Sequence, residues 1–507
     1  MALNSTLKPV RRDPVRGQIA ALFGAVACFG VVAITEPPGP GLDPDSMSYV
    51  GAAESLVHHG SLRIPMSSWS DADSTSALRH FPPGFSLAIS VPVALGADPG
   101  QAARGVEAVA AFATVALAVW IAAAIAGPAA GTLTGVALLA APALALDHAR
   151  ILSEPLCFAL LVAMLALMLF SDRPFLYGLA AAAAGLVRYA AVPAGGAAVL
   201  WAIGRPGDLR ERLRRAALAA IPTALLSGPV MLRSVLESGA AHGIKPRLDL
   251  GPMARELGAT LEAWLAPAMP AGVGAALVAV VVAGAGIALL RDAASGRAGR
   301  PQPGSPARSL MAAAALVAAC YAAFVFVSRV FVFDNIPFDD RMLSPVMLLV
   351  LITMAATFGA CWRAWTGRVR GAAAALAGLW LVASAWGTVR AVGDARDGGW
   401  GYASDEWRDS RLGPWLRAEG RSTEIFSNDP AAVWFLVHRP SRDLPEALDS
   451  AALDDFARTI AGRRAVVLSF GQDYEPMASP DSLARRLGLK RLASFREGTV
   501  WGNLPRQ

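Results

Sequence analysis

Apolar runs of about 20 residues recur along this chain, and they leave it few ways to fold. A hydrocarbon core of about 30 Å is crossed by a helix of that length, and inside it every backbone polar group must be satisfied within its own segment, so such runs read as membrane helices. They fall near 18–35, 103–126, 130–146, 153–170, 175–188, 190–203, 216–233, 271–290, 309–328, 342–360 and 371–389. The sequence thus predicts an α-helical polytopic membrane protein with about eleven spans. Composition agrees: 55% of residues are hydrophobic and 17% charged, with a mean hydropathy of +0.46, too apolar for a soluble chain of this size.

Basic residues set the expected orientation. Lys8, Arg11, Arg12 and Arg16 precede the first run, Arg205, Arg210, Arg212, Arg214 and Arg215 fill the link after the sixth, and Arg291, Arg297, Arg300, Arg308, Arg363, Arg368 and Arg370 follow in later links. With eleven spans they share one face, which the positive-inside rule makes cytoplasmic. The N-terminus is then cytoplasmic in the cytoplasmic (inner or plasma) membrane, and the C-terminal segment extracytoplasmic. These links account for the net charge of +6, so no nucleic-acid partner is implied. The first run reads as an uncleaved anchor. The four cysteines lie in or at the ends of spans, which suggests no disulfide framework.

The expected organisation is a transmembrane catalytic domain over 1–392, with a large first outer loop at 36–102, and an extracytoplasmic α/β domain over 393–507. In the latter, 423–427 and 465–470 read as buried strands, 430–438, 453–460 and 480–487 as helices, and a closing strand is expected near 492–501. The outer loop is longer than a connection requires. It carries Asp43-Pro44-Asp45-Ser46, Tyr49 and the block His80-Phe81-Pro82-Pro83-Gly84-Phe85. Segments 46–58 and 84–95 read as helices lying along the membrane surface.

These loop residues resemble the first outer loop of GT-C fold glycosyltransferases that use polyprenyl-phosphate sugars, a group that includes protein O-mannosyltransferases and the lipid A aminoarabinose transferase. Three further segments match in order: Asp147 with Ser153-Glu154-Pro155, then Leu186-Val187-Arg188-Tyr189, then Asp340-Arg341-Met342-Leu343-Ser344-Pro345. The resemblance spans about 18–360. The acidic pair common in such relatives appears here as Asp45-Ser46, and no acceptor signature is evident. The resemblance implies sugar transfer from a polyprenyl-phosphate donor lipid to an extracytoplasmic glycan, lipid or protein. The rival reading is a transporter or flippase of a lipid-linked substrate, which would favour repeated halves and charges at midplane.

Such transfer needs a carboxylate to take a hydroxyl proton and cations to meet the leaving phosphate, for which the guanidinium fork is suited. Asp45 is the expected base, the position that the resemblance also selects, against a helix N-cap as its structural alternative. Asp43 is the reserve, against a turn residue before Pro44. The resemblance implies that Asp147 positions the acceptor or, with Glu154, holds a divalent metal, Mg2+ or Mn2+; Ser153-Glu154-Pro155 also starts a helix well. Tyr49, His80 and His148 are further candidates, each histidine having a satisfied polar role as its alternative. Arg341 and Arg188 are the expected phosphate ligands, with Arg233 and Arg329 weaker and snorkelling or ion pairing as the alternative. Lys245 and Arg247 lie in an expected outer loop.

Overall fold

The computed structural model describes residues 14–36, 39–237, 249–265, 305–332, 336–362, 364–419, 423–446, 449–461, 463–471 and 478–502. The chain forms two compact units: one holds 1–34, 79–85 and 104–394, the other 35–78, 86–103 and 395–507. The loop that the sequence assigns to the membrane domain thus clusters largely with the C-terminal segment. Its residues supply a strand and a packed helix there, which local periodicity cannot reveal.

Helices run in chain order as α1 (Pro14–Ile34), α2 (Pro44–His59), α3 (Gly84–Ala94), α4 (Pro99–Ala126), α5 (Pro128–Leu139), α6 (Pro142–His148), α7 (Glu154–Phe170) and α8 (Pro174–Val187). They continue as α9 (Ala194–Gly204), α10 (Leu209–Pro222), α11 (Gly228–Glu237), α12 (Leu250–Leu265), α13 (Pro306–Phe331), α14 (Asp340–Cys361) and α15 (Gly367–Gly398).

Among the described residues, six helical stretches are long and apolar enough to cross a membrane: α1, α4, the continuous Leu209–Leu236, α13, α14 and α15. The protein is an integral membrane protein. The run expected at 130–146 is a pair, α5 and α6, bent by 66°. Pro142 explains the break, because it has no N–H to continue the ladder, and Ala141 before it is extended at φ −80° and ψ 113°. α7, α8 and α9 are shorter apolar helices, α8 and α9 being separated by an extended Arg188 and a 3-10 turn, Tyr189–Ala191. The span expected at 271–290 lies outside the described residues, as do Lys245 and Arg247.

The second unit is built on a six-stranded sheet, order β2-β5-β4-β6-β8-β7. β1 (Arg63–Ile64) and β3 (Ser76–Ala77) form a separate antiparallel pair. β2 (Met66–Ser67), β4 (Glu424–Ser427), β5 (Ser441–Arg442) and β6 (Ala465–Phe470) run parallel, and β7 (Lys490–Ser494) and β8 (Gly498–Gly502) complete the edge antiparallel. The closing strand expected near 492–501 is therefore a hairpin, turned at 495–497. Side chains alternate between the two faces. Ile425, Val466, Leu468 and Phe470 join a core with Met47, Leu412 and Val433, while Phe426, Ala465 and Val467 join Leu453, Phe456 and Leu483. Both faces are covered, which is why these strands read as continuous apolar runs.

α2 differs from the surface helix expected at 46–58. Ser46 through Ala53 are all buried, Met47 in the sheet's core, so no face is left for the membrane along that half. Gly60 ends the helix at φ +70°, a left-handed cap that favours glycine.

Candidate active site

The membrane unit draws four of the separate sequence segments together. At the start of α7, Glu154 is fully buried, and its Oε1 lies 2.5 Å from both Arg188 Nη1 and Arg341 Nε. Arg188 stands where α8 gives way to extended backbone, and Arg341 sits in the first turn of α14. Arg188 also reaches Ser153 Oγ at 3.3 Å and the Met342 sulfur at 3.6 Å. Arg188 is 9% exposed, so both partners of that ion pair are withdrawn from water, where a charge needs its counter-charge most. The triad carries one net positive charge.

The block 80–85 belongs to the same unit. The Arg79 carbonyl accepts from Tyr189 Oη at 3.3 Å and Ser234 Oγ at 3.2 Å. A Cβ at Gly84 would stand 2.6 Å from the Leu186 carbonyl oxygen, so this close approach requires glycine. His80 itself is exposed, edge-on to Phe81 at 4.7 Å.

Next to the triad, Asp147 ends α6 at 1% exposure; Arg150 approaches its Oδ1 at 3.5 Å, and its Oδ2 has no hydrogen-bond partner. His148 donates Nδ1–H to the Leu144 carbonyl at 2.7 Å, which leaves Nε2 as a buried acceptor without a partner. Glu107, on α4, was not singled out from the sequence. It is fully buried, and its Oε1 accepts the Leu152 N–H at 2.7 Å while its Oε2 meets no partner. A lone carboxylate in the apolar run 103–126 is itself the signal that could have found it.

Two guanidiniums already occupy Glu154 Oε1, and no group of three His, Cys, Asp or Glu converges among the described residues.

Asp43, Asp45 and Tyr49 lie in the other unit, at the start of α2. Asp43, not Asp45, is the N-cap: it forms a capping box with Ser46, whose Oγ accepts the Asp43 N–H at 2.9 Å. Asp45 is half-buried in the first turn, so the capping role weighed for it passes to Asp43. Tyr49 is 2% exposed. Of the remaining arginines, Arg233 is exposed on α11. Arg329 is committed to structure: it pairs with Glu256, whose carboxyl its hydrogen bonds hold down at about 2, and lies over the Phe338 ring at 5.0 Å.

No protein-family model and no curated relative matches the sequence. The fold is similar to that of solved glycosyltransferases. ArnT from Cupriavidus metallidurans, bound to undecaprenyl phosphate, aligns with 95% of this chain and 97% of its own at 15% identity and a TM-score of 0.57. The arabinofuranosyltransferase AftD from Mycobacteria aligns with 98% of this chain and 42% of its own, at 16% identity and 0.54. The Archaeoglobus fulgidus oligosaccharyltransferase, tethered to an acceptor peptide, aligns with 89% and 69%, at 12% identity and 0.52. The GT-C fold that the sequence motifs resemble is thus the fold of the chain.

Proposed function

We propose that this protein is a membrane glycosyltransferase that moves a sugar from a polyprenyl-phosphate donor to an extracytoplasmic acceptor. The observation that carries the reading is the convergence of Arg188 and Arg341 on buried Glu154, drawn from segments that are far apart in sequence. In this reading Glu154 holds both guanidiniums at one turn, and their remaining donors present a fork to a phosphate. Likeness in fold to ArnT bound to undecaprenyl phosphate supports the choice of ligand. We assign the chain eleven spans and an extracytoplasmic C-terminal unit.

In the reaction, the acceptor oxygen bonds to the anomeric carbon as the bond from that carbon to the phosphate oxygen breaks. The electron pair leaves on the phosphate, met by Arg188 and Arg341, with exposed Arg233 a candidate for the approach of the lipid. The hydroxyl proton goes to the Asp45 carboxylate, with Asp43 and Asp147 in reserve. A single displacement inverts the centre and needs no covalent nucleophile.

A transporter or flippase gains one observation, the discontinuous pair α5–α6, since broken helices line transport sites. It gives no role to a base beside the acceptor. Native mass spectrometry of the protein in nanodiscs separates wild type from Arg341→Ala. Undecaprenyl phosphate should bind about 10- to 100-fold more weakly to the variant, the loss of one charge-assisted hydrogen bond, while exposed Arg173→Ala should be unaffected. Equal affinity in all three removes Arg341 from the site.

A further inference from the structure

Within the membrane unit a second polar feature adjoins the arginine cluster: a cavity of about 310 Å³ lined by Trp264 at the end of α12, Asp340 and Met347 of α14, Arg390 and Asp394 of α15, and Pro142 and Ala143 of α6. Its volume lies at the lower end of the roughly 300–1,000 Å³ typical of small-ligand sites, and its walls follow their usual design, apolar surface with a few converging polar groups.

Charge selects among ligands. Two carboxylates face one guanidinium, so the lining is net negative and disfavours a phosphate. Carboxylates and a guanidinium are instead strong partners for hydroxyl groups, and an indole gives a flat apolar wall against which a ring can lie. Asp340 and Arg341 are adjacent on α14, so their side chains leave the helix about 100° apart. Asp340 lines the cavity while Arg341 binds Glu154. The first turn of α14 therefore serves the proposed phosphate site on one side and this cavity on the other.

We propose that the cavity is a saccharide subsite that takes a single hydroxyl-rich sugar ring, with Asp340 and Asp394 accepting its hydroxyls and Trp264 walling one face. This rests on the glycosyl-transfer reading and deepens it; the ring is either the donor's sugar or a sugar of the acceptor.

The test is saturation-transfer NMR of a panel of methyl pyranosides and methyl furanosides on nanodisc-embedded protein. At least one should bind wild type, and Asp394→Asn and Asp340→Asn should each weaken it about tenfold or more, the scale of a lost charge-assisted hydrogen bond. Exposed Asp172→Asn should not. Undecaprenyl phosphate binding, measured in parallel, should persist in every one of these variants, which also reports their folding. A second arm compares bare undecaprenyl phosphate with the same lipid carrying the best-binding sugar. If Asp394→Asn weakens only the sugar-bearing lipid, the cavity serves the donor; if it weakens neither lipid yet still loses the methyl glycoside, the cavity serves the acceptor. A wild type that binds no glycoside, or variants that bind it as well as wild type, overturns the subsite while leaving the polyprenyl-phosphate reading intact. Failure of wild type to bind undecaprenyl phosphate overturns that reading instead.

Discussion

The two units use carboxylates in opposite ways. In the membrane unit, Glu107, Asp147 and Glu154 are at most 1% exposed, and Glu154 is matched to two arginines. In the sheet unit, three aspartates finish helices instead. Asp43 caps α2, Asp429 accepts the Ala432 N–H at 3.1 Å, and Asp449 accepts the Ala452 N–H at 3.0 Å. A cap supports its fold at modest cost because it replaces water with backbone amides. A charge withdrawn from water beside hydrocarbon costs far more and marks function by default. The contrast points to Glu154 and its two arginines as the donor site, while Asp45 stands half-buried within a first helical turn of the other unit.

The largest test of the contrast is Glu154→Ala. It leaves Arg188 and Arg341 close together without their shared carboxylate, and breaking such a buried pair costs about 3–5 kcal/mol. Thermal unfolding in detergent should show a large drop in midpoint; a drop no greater than that of a surface variant would mean the triad is solvated.

Asp443 is the sheet unit's counter-example. Burial lifts its carboxyl from 3.8 to about 6, although it accepts the Trp69 N–H at 2.7 Å. The folded state then binds more protons than the unfolded one between about pH 4 and 6. Stability from this group is greatest below that window, falls as pH rises through it and stays lower above. Asp443→Asn should flatten that slope and raise stability at pH 7 by at most about 3 kcal/mol. An unchanged slope in unfolding measured at pH 4.5 and 7 would show the group to be solvated.

Glu107→Ala should cost about 1–3 kcal/mol, because the Leu152 N–H is left buried without an acceptor. Glu107→Gln, which keeps an acceptor oxygen, should recover much of it; hydrogen exchange at Leu152 is the direct readout. The smallest effect is expected for Asp43→Ala, about 1 kcal/mol of stability, with sugar transfer retained by the folded fraction. Loss of transfer without loss of fold would move catalysis from Asp45 to Asp43.

Much of this was legible in the sequence. Apolar run length locates most of the described helices of the membrane unit, though not the break at Pro142 or α12, and sequence pattern singles out the segments around Glu154, Arg188 and Arg341. What local pattern could not show was partnership across the chain. Met66 pairs with Ser441 in the sheet, and the Trp69 N–H finds Asp443, so the outer loop is part of a sheet whose other strands lie hundreds of residues away. Arg329 read as a phosphate candidate because nothing nearby in sequence announces Glu256 as its partner. The capping box shifted the N-cap from Asp45 to Asp43, since Pro44 is tolerated as the first helical residue.

Sugar transfer with Asp45 as the base is measured by single-turnover transfer from a polyprenyl-phosphate sugar by wild type and Asp45→Asn in nanodiscs. Asparagine keeps the shape and removes the proton acceptor. The rate should fall about 10²- to 10⁴-fold, with folding and undecaprenyl phosphate binding unchanged. Transfer at the wild-type rate by a folded Asp45→Asn protein would contradict the claim.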